Sequence, residues 1–339
     1  MSKSIVVTEA EYKKGQEAFN NLRPGYVVVT SGDAEQCLAD TITRVGAKAV
    51  IVGANSYKKQ LYEALSPDGI IARFGVGTDG INFECISQYN LTVANTPNVT
   101  DDSVAELSMW LIGDLARMLN YMDKQMKANI FSGETGREIR GKHLGIIGFG
   151  NIGKKVARIA SFGFNMQVHG FGQSTIKQIE ERYKLPIDEF NDLFGLKSYT
   201  NDIEEILPKC DFVSCHLPLT KTTRKFFDRR LFSKFKKNAY FVNTSRGPIV
   251  DEGALNEFLG PNQIKGAALD VYNKEPYSPE KGHKDLRLWN RVVLTPHIAS
   301  DTAEANLRMA RAALDNIYYF FDGKWWDSRI LSLLVNEFR

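Results

Sequence analysis

The chain of 339 residues has little of several features that would define a function at once. Its four cysteines include no CxxC pair, so we expect neither a disulfide framework nor a metal site. The formal net charge is only +3, and no basic run points to a nucleic-acid surface. No apolar run approaches the length of a membrane span, and the strand-like residues directly after Met1 predict that no signal peptide is present. These absences favour a cytoplasmic protein without a nucleic-acid or membrane partner.

Strand-like and helix-like patterns alternate through the first hundred residues. Segments with apolar residues at helical spacing, such as Leu38, Ile42 and Val45, separate short β-branched runs. Alternation of this kind predicts a parallel sheet covered by helices. The predicted strands are Ile5–Thr8, Tyr26–Thr30, Ala49–Gly53, Ile70–Phe74 and Leu91–Ala94.

A second alternating series begins near residue 100. Asp101-Asp102-Ser103 offers a helix cap, and Glu106 three residues after Ser103 resembles a capping box, which together predict the start of a long helix. Six strands separated by helical stretches then predict a doubly wound, dinucleotide-binding sheet. An amphipathic helix from Leu307 to Phe321 is expected to return to the first domain. The predicted strands are Leu144–Ile147, Met166–Phe171, Asp211–Cys215, Ala239–Asn243, Gly266–Leu269 and Val292–Leu294.

The two series predict an α/β protein of two domains. A Rossmann-type doubly wound parallel-sheet domain, residues 102–301, would bind the dinucleotide and would be inserted in a second, flavodoxin-like α/β domain. That second domain, residues 1–101 plus 302–339, would bind the substrate. Two chain crossings at one hinge would form a cleft, where ligands usually bind.

A glycine-rich loop follows the run Leu144–Ile147 and precedes a helical pattern. In such a loop the first glycine makes a tight turn, the second lets a pyrophosphate approach the backbone, and the third lets the helix pack on the strand. The N–H groups at the helix start then face the anion. A lone GxGxxG is weak evidence, so the prediction of a dinucleotide site depends on the strand before it and the helix after it. The residues concerned are Gly148, Gly150, Asn151, Ile152 and Gly153.

The choice between NAD and NADP depends on the residue about twenty positions further on, where NAD enzymes usually place an acid that binds the ribose 2′-hydroxyl. Here Gly172 stands at that place, and no Asp or Glu occurs from Phe149 to Ile179. The absence of a carboxylate removes a repulsive charge, although the polar residues that follow could also form nothing more than a turn. We expect NAD or NADP, with a modest preference for NADP. The potential phosphate donors are Gln173, Ser174, Thr175 and Lys177.

Three polar residues each follow a short apolar run in the back half of the chain. Arg246, Glu275 and His297 come after the fourth, fifth and sixth predicted strands of the second series. Ligands bind outside the carboxyl ends of such strands. Each residue alone has a duller explanation, as part of a turn, an exposed loop or a structural histidine. Their shared placement predicts one site beside the cofactor.

These three residue types fit the reduction of a 2-oxo acid. His297 can protonate the carbonyl oxygen because imidazole titrates near neutrality. Glu275 would orient the ring and favour its protonated form, and Arg246 can hold the substrate carboxylate through two parallel hydrogen bonds. The nicotinamide carries the hydride. The set therefore predicts an oxidoreductase that transfers a hydride between NAD(P)H and a 2-oxo or 2-hydroxy acid.

Over nearly its full length the chain resembles the D-isomer-specific 2-hydroxyacid dehydrogenase family. The matching motifs are highly specific together, although no single one is. They are Phe74-Gly-Val-Gly-Thr-Asp79, Asn95-Thr-Pro97, Ser103-Val-Ala-Glu106, Gly148–Gly153, His216-Leu-Pro-Leu-Thr220, Val242-Asn-Thr-Ser-Arg-Gly-Pro248, Ala268-Leu-Asp-Val271 and Thr295-Pro-His-Ile298.

The resemblance implies the same catalytic set, Arg246, Glu275 and His297, acting on a D-2-hydroxy acid or its 2-oxo form. It further implies that the backbone amides of Val76 and Gly77 hold the substrate carboxylate. Homodimers built largely on the cofactor domain are usual in this family. The remaining cofactor contacts that it implies are His216, Pro218, Thr244 and, at the nicotinamide carboxamide, Asp270.

The sequence departs from the family pattern in several places. Gly172 replaces the usual acid, and Gly80 and Asn82 stand where the family often has Asn and Asp. Residues 178–200 look longer than the matching stretch of relatives, and their charges predict a solvated surface extension. The tail 325–339, which contains Trp325 and Trp326, is expected to pack on the first domain or else cover a neighbouring subunit.

Two other kinds of protein fit part of the pattern. One is a dinucleotide-sensing, corepressor-like scaffold with little catalysis, which the complete Arg–Glu–His set disfavours. The other is a hydrolase of the adenosylhomocysteine type, and the spacing from Arg246 to His297 fits the hydroxyacid enzymes better.

Overall fold

The computed structural model describes residues 2–260 and 263–324. Within those ranges, residues 2–100 with 300–324 form one compact unit, here called the first unit, and residues 101–260 with 263–299 form the second unit. The prediction made for the tail, 325–339, lies outside the described residues. No helix in the described ranges is long and apolar enough to cross a membrane.

The first unit contains a parallel sheet, and the predicted strands of the first series are confirmed. The strands are β1 (Lys3–Thr8), β2 (Tyr26–Ser31), β3 (Ala49–Val52), β4 (Ile70–Arg73) and β5 (Thr92–Ala94). Their order across the sheet is β2-β1-β3-β4-β5, with every pairing parallel, which is the flavodoxin-like order. The helices between them are α1 (Glu9–Lys14), α2 (Gln16–Phe19), α3 (Glu35–Val45), α4 (Gln60–Leu65) and α5 (Phe83–Gln88).

The C-terminal helix Ala303–Phe321 belongs to the first unit, and its predicted amphipathic pattern is confirmed. It begins at Thr302, whose side chain accepts a hydrogen bond from the Ala305 N–H. Its apolar face enters the core that covers one side of the sheet. The helix residues in that core are Met309, Ala310, Ala313, Leu314 and Ile317, and the strand residues include Ile5, Val7, Ile51 and Ile70. The chain therefore returns to the first sheet after completing the second.

The second unit is also built on a parallel sheet. Its strands are β6 (His143–Ile147), β7 (Gln167–Phe171), β8 (Leu196–Thr200), β9 (Phe212–Cys215), β10 (Ala239–Asn243), β11 (Ile264–Leu269) and β12 (Val292–Leu294). They lie in the order β12-β11-β10-β9-β6-β7-β8. This is the doubly wound dinucleotide-binding order with a further strand at one edge. The order reverses between β6 and β9, and ligands bind in the crevice at such a point.

Helices cover both faces of this sheet. On β10, Tyr240 and Val242 enter one hydrophobic core while Phe241 enters the other, because successive strand residues point to opposite faces. Both cores are therefore built from the same strands, which fixes the strand ends relative to one another. The helices of the unit are α6 (Asp101–Arg117), α7 (Leu119–Lys127), α8 (Asn151–Arg158), α9 (Ile176–Tyr183), α10 (Ile187–Phe194), α11 (Arg229–Phe232) and α12 (Glu252–Phe258), with short helical turns at Ile159–Gly163, Ile203–Glu205, Gly247–Ile249 and Leu286–Leu288.

The charged side chains of residues 178–200 are mostly exposed, as predicted, but the stretch is part of the folded sheet and not a surface extension. The stretch forms most of α9, all of α10 and the edge strand β8, which pairs with β7. Phe190 is fully buried, and Leu196 and Tyr199 are buried as well. The many charges of the stretch lie on the outer sides of its helices, and its aromatic residues, which the composition-based interpretation passed over, fill a core.

The predicted capping box at Ser103 is wrong. Helix α6 already begins at Asp101, so Ser103 lies inside its first turn, where its side chain is buried. The helix itself is confirmed, with Leu111 and Leu115 in the core below the sheet.

Candidate active site

The glycine loop follows β6 and begins α8, as predicted. Gly148 has a φ of 104°, which favours glycine, and a side chain there would lie 2.6 Å from the backbone of His216. A side chain at Gly153 would collide with the Gly148 carbonyl oxygen, whereas nothing lies within 4 Å of one at Gly150. The protein leaves no room for a side chain at the first and third glycines, whereas the space beside the second is open. The first N–H groups of α8 come directly after this second glycine.

The turn after β7 is crowded by β8. A Cβ atom at Gly172 would lie 2.5 Å from the hydroxyl of Tyr199, and that hydroxyl donates to the carbonyl oxygen of Ser174 at 3.0 Å. Thr175 begins α9 with a capping box, in which it exchanges hydrogen bonds with Gln178. The side chain of Thr175 is therefore used in starting the helix.

His297 follows β12 and contacts Glu275, which follows β11. The Nδ1 atom of His297 lies 2.7 Å from Oε2 of Glu275, and both side chains are 37% exposed. The other oxygen of Glu275 accepts the Tyr272 N–H at 3.1 Å. The carboxylate is thereby fixed at both oxygens, and it fixes the imidazole ring in turn.

Glu275 is ionised at neutral pH. Burial opposes its ionisation, but the hydrogen bond from His297, the charges of His297 and Arg246 and the Tyr272 N–H together outweigh burial, so the pKa of Glu275 is lowered. Arg246 stands near this pair, since Gly247 next to it packs on the backbone of Tyr272, whose N–H binds Glu275. The structure thus brings together the three predicted polar residues that follow β10, β11 and β12.

The backbone around Arg246 is closely held. Asn243, at the end of β10, donates to the Arg246 carbonyl oxygen at 3.0 Å and accepts from the Ser245 N–H and hydroxyl. Gly247 packs so tightly on the Tyr272 backbone that no side chain would fit there. The loop after β10 is therefore locked against the loop after β11, which keeps the guanidinium and the Glu275 carboxylate in register.

Asp270 fastens the segment that carries His297. Its carboxylate is fully buried and accepts hydrogen bonds from the Thr295 hydroxyl at 2.6 Å and from the N–H groups of Ile298 and Ala299 at 2.9 Å each. Its carbonyl oxygen accepts the His297 N–H at 2.9 Å. His297 has a φ of 55°, an unusual backbone conformation that these bonds on both sides support. This positioning role was missed in the sequence, as were the parts played by Tyr272 and Thr295.

The other predicted cofactor contacts lie along the same sheet edge of the second unit. His216 follows β9, and its Nε2 lies 2.8 Å from the Ser214 hydroxyl; burial lowers the pKa of His216 to about 3. Thr244 is buried, with its hydroxyl 2.9 Å from that of Ser108 on α6. Pro218 is exposed, and its carbonyl oxygen accepts a hydrogen bond from Thr223 at 2.6 Å.

Val76 and Gly77 belong to the first unit, in the loop after β4. The Asn95 side chain donates to the Val76 carbonyl oxygen at 2.8 Å, and Thr96 bonds to Gly75 through its hydroxyl and its N–H. Val76 is 42% exposed, so the carbonyl side of this loop is held while the Val76 side chain faces outward.

Comparison with known proteins places the chain in a family. The profile of the D-isomer specific 2-hydroxyacid dehydrogenase NAD binding domain matches residues 109–299. A glyoxylate reductase of Aeropyrum pernix is 36% identical over 75% of this chain and 74% of its own length. A hydroxypyruvate reductase of Thermotoga maritima is 34% identical over 79% of this chain and 83% of its own length.

Solved structures agree with this placement. The apo structure of D-lactate dehydrogenase from Escherichia coli has a TM-score of 0.77 at 25% identity and covers 95% of this chain and 97% of that one. The NAD-complexed D-isomer specific 2-hydroxyacid dehydrogenase of Lactobacillus delbrueckii has a TM-score of 0.72 at 25% identity. The alternative of a corepressor-like scaffold gains no support from these matches. The chain belongs to the D-isomer specific 2-hydroxyacid dehydrogenase family, and it is an NAD(P)-dependent oxidoreductase of that family.

Proposed function

We propose that the protein reduces a small 2-oxo acid of the glyoxylate or hydroxypyruvate type to the 2-hydroxy acid, with D configuration where the new carbinol carbon is a stereocentre. Residues 102–301 would bind the dinucleotide and residues 1–101 plus 302–339 the substrate. The observation that carries the proposal is the His297–Glu275 pair at 2.7 Å beside Arg246, at the carboxyl ends of neighbouring strands. The names of the matched reductases support the substrate class.

His297 is the proposed general acid and base. Its Nδ1 atom faces Glu275, so Nε2 is the ring nitrogen that would meet the substrate oxygen. In the reducing direction the imidazolium gives its proton to the carbonyl oxygen, and in the oxidising direction the neutral ring takes the hydroxyl proton. The Glu275 carboxylate stabilises the charged ring and holds its orientation.

Arg246 is the proposed holder of the substrate carboxylate. Its planar guanidinium offers two parallel N–H donors, a geometry that matches a carboxylate. The amides of Val76 and Gly77 are proposed as further carboxylate donors. Their loop is held through the Val76 carbonyl oxygen and through Gly75, so the N–H groups of Val76 and Gly77 are the chemically suited donors.

The glycine loop fits a dinucleotide, because Gly148 and Gly153 have no room for side chains while Gly150 stands open beside the α8 N-terminus. When bound, the nicotinamide supplies the hydride. The proposed contacts are Gly148, Gly150, Asn151, Ile152, Gly153, Gly172, Gln173, Ser174, His216, Pro218, Thr244 and Asp270. We propose a modest preference for NADP over NAD, because Gly172 carries no carboxylate that would repel a 2′-phosphate. The cytoplasmic location stays a prediction.

A substrate panel tests the proposed function. Initial rates with glyoxylate, hydroxypyruvate, pyruvate and larger 2-oxo acids are measured with NADH and NADPH in parallel. We expect the highest kcat/KM with glyoxylate or hydroxypyruvate, and the product from hydroxypyruvate should have the D configuration by chiral chromatography. Tight dinucleotide binding without turnover of any acid would contradict the proposal.

We further propose a homodimer formed through the second unit. Large apolar side chains stand exposed between residues 110 and 131: Trp110 is 71% exposed, Leu119 58%, Met126 57% and Phe131 93%. Several large exposed apolar side chains within one stretch of the second unit support an interaction surface there.

The oligomeric state can be tested by light scattering after size-exclusion chromatography. We expect the wild-type chain to have twice the mass of its 38.1 kDa protomer and Trp110→Glu to have the protomer mass. Phe162→Glu is the matched control, because Phe162 is 59% exposed in the same unit but lies outside the 110–131 stretch. A wild-type monomer at micromolar concentration, or equal dissociation of both variants, would contradict the proposal.

A further inference from the structure

The hydroxyl of Tyr199 occupies the space that a side chain at residue 172 would need. A Cβ atom built on Gly172 lies 2.5 Å from this hydroxyl, but 3.4 Å and 3.5 Å from the next ring atoms of Tyr199. The conflict therefore comes from one oxygen atom. Gly172 does not have a positive φ, so its backbone would accept another residue, and the obstacle is Tyr199 alone among the described neighbours.

Tyr199 is firmly held in this position. It lies on β8 opposite Gly170, is 6% exposed, and donates its hydroxyl hydrogen to the Ser174 carbonyl oxygen at 3.0 Å. Burial, reinforced by Tyr183, raises the pKa of Tyr199 to about 12, so the hydroxyl stays protonated and remains a donor at neutral pH.

The same strand is tied to the dinucleotide loop through an aromatic cluster. Phe149, which stands between the first two glycines of the loop, packs edge-on against Phe190, Phe194 and Tyr199 at centroid distances of 5.6–5.9 Å. Such pairs add to the stability gained from burial alone. Lys154, in the first turn of α8, donates to the hydroxyl of Tyr183 at the end of α9. The segment from α9 to β8 is therefore a second support for the cofactor loop.

We propose that Tyr199 is a specificity-determining residue for the dinucleotide. Its hydroxyl fills the space that a side chain at residue 172 would need, so a carboxylate that would favour NADH over NADPH cannot be accommodated there. The inference rests on the proposed dinucleotide site at Gly148–Gly153. A carboxylate side chain at residue 172 and the hydroxyl of Tyr199 therefore cannot both be accommodated.

The test compares substitutions at both positions by direct titration of NADH and NADPH, read from dinucleotide fluorescence without any substrate. Gly172→Asp alone should weaken the binding of both dinucleotides, because Tyr199 must move. The double variant Gly172→Asp/Tyr199→Phe should bind NADH well and NADPH poorly. Its ratio of Kd values should shift toward NADH by about tenfold or more relative to Tyr199→Phe alone, as expected for a carboxylate close to a phosphate.

Gly172→Ala separates the steric effect from the charge. It should weaken the binding of NADH and NADPH equally, and adding Tyr199→Phe should restore binding without changing the ratio of the two Kd values. Melting temperatures of all variants show which of them are folded, and Tyr199→Phe, which removes one oxygen atom, is the reference.

Two results would overturn the proposal. In one, Gly172→Asp alone shifts the ratio as far as the double variant does, so Tyr199 is no obstacle. In the other, the double variant binds both dinucleotides in the wild-type ratio, so residue 172 does not face the ribose. Because no turnover is measured, these outcomes are distinct from a failure of the proposed reaction, which would appear as intact dinucleotide binding without reduction of any 2-oxo acid.

Discussion

Replacing His297 lowers kcat for 2-oxo acid reduction by about a hundredfold or more, the usual contribution of a positioned acid or base, and leaves dinucleotide affinity unchanged. His297→Asn is the better variant, because the φ of 55° at this position is tolerated by asparagine at less cost than by alanine. Single-turnover hydride transfer and dinucleotide titration on the same preparation separate the two effects. Near-normal turnover in this variant would remove the imidazole from the mechanism.

Glu275→Gln provides the matched control for this prediction. The amide keeps the size of the side chain but removes the charge that stabilises an imidazolium. The fall in kcat should be smaller than in His297→Asn, because the amide oxygen can still accept a hydrogen bond from the ring but brings no charge to it. A wild-type kcat in this variant would mean that the charge of Glu275 plays no part in the reaction.

The parts of the fold that the sequence predicted are those with strong local signals. Buried β-branched runs identify nearly every strand, and the glycine spacing at Gly148–Gly153 identifies the loop, because the pattern and its physical cause lie within a few residues. Strand β8 was missed because Leu196–Thr200 alternates charged, polar and apolar residues, as an edge strand does. In the structure it pairs with β7 and shares a core with α9 and α10 around Phe190, and neither contact is visible within these five residues.

The sequence pointed to the residues of the candidate site but not to the contacts that hold them in place. Arg246, Glu275 and His297 could be placed from the ends of three strands, since parallel strands end at one edge. The clamp formed by Asp270 joins residues 25 to 29 positions apart in sequence, and two of its three donors are backbone N–H groups, which no residue type reveals. The same holds for Tyr199, whose effect on Gly172 depends on the register of β7 and β8.

Arg246→Gln lowers kcat/KM for the 2-oxo acid by about a hundredfold, the loss expected when charged hydrogen bonds to a carboxylate are removed. Arg246→Lys keeps the charge but replaces a planar fork with a single point, so we expect a loss of about tenfold, seen mainly in KM. Steady-state kinetics with the best substrate of the panel measures both.

These substitutions should leave the loop itself intact, because Asn243 holds residue 246 through its backbone carbonyl oxygen and Gly247 packs on the Tyr272 backbone. Dinucleotide affinity and melting temperature therefore serve as controls and should stay at wild-type values. With a substrate analogue that lacks the carboxylate, the wild type, Arg246→Gln and Arg246→Lys should have similar kcat/KM values, since no partner remains for the guanidinium. If both variants instead keep wild-type kcat/KM for the acid, the carboxylate is bound elsewhere, and the amides of Val76 and Gly77 become its principal donors.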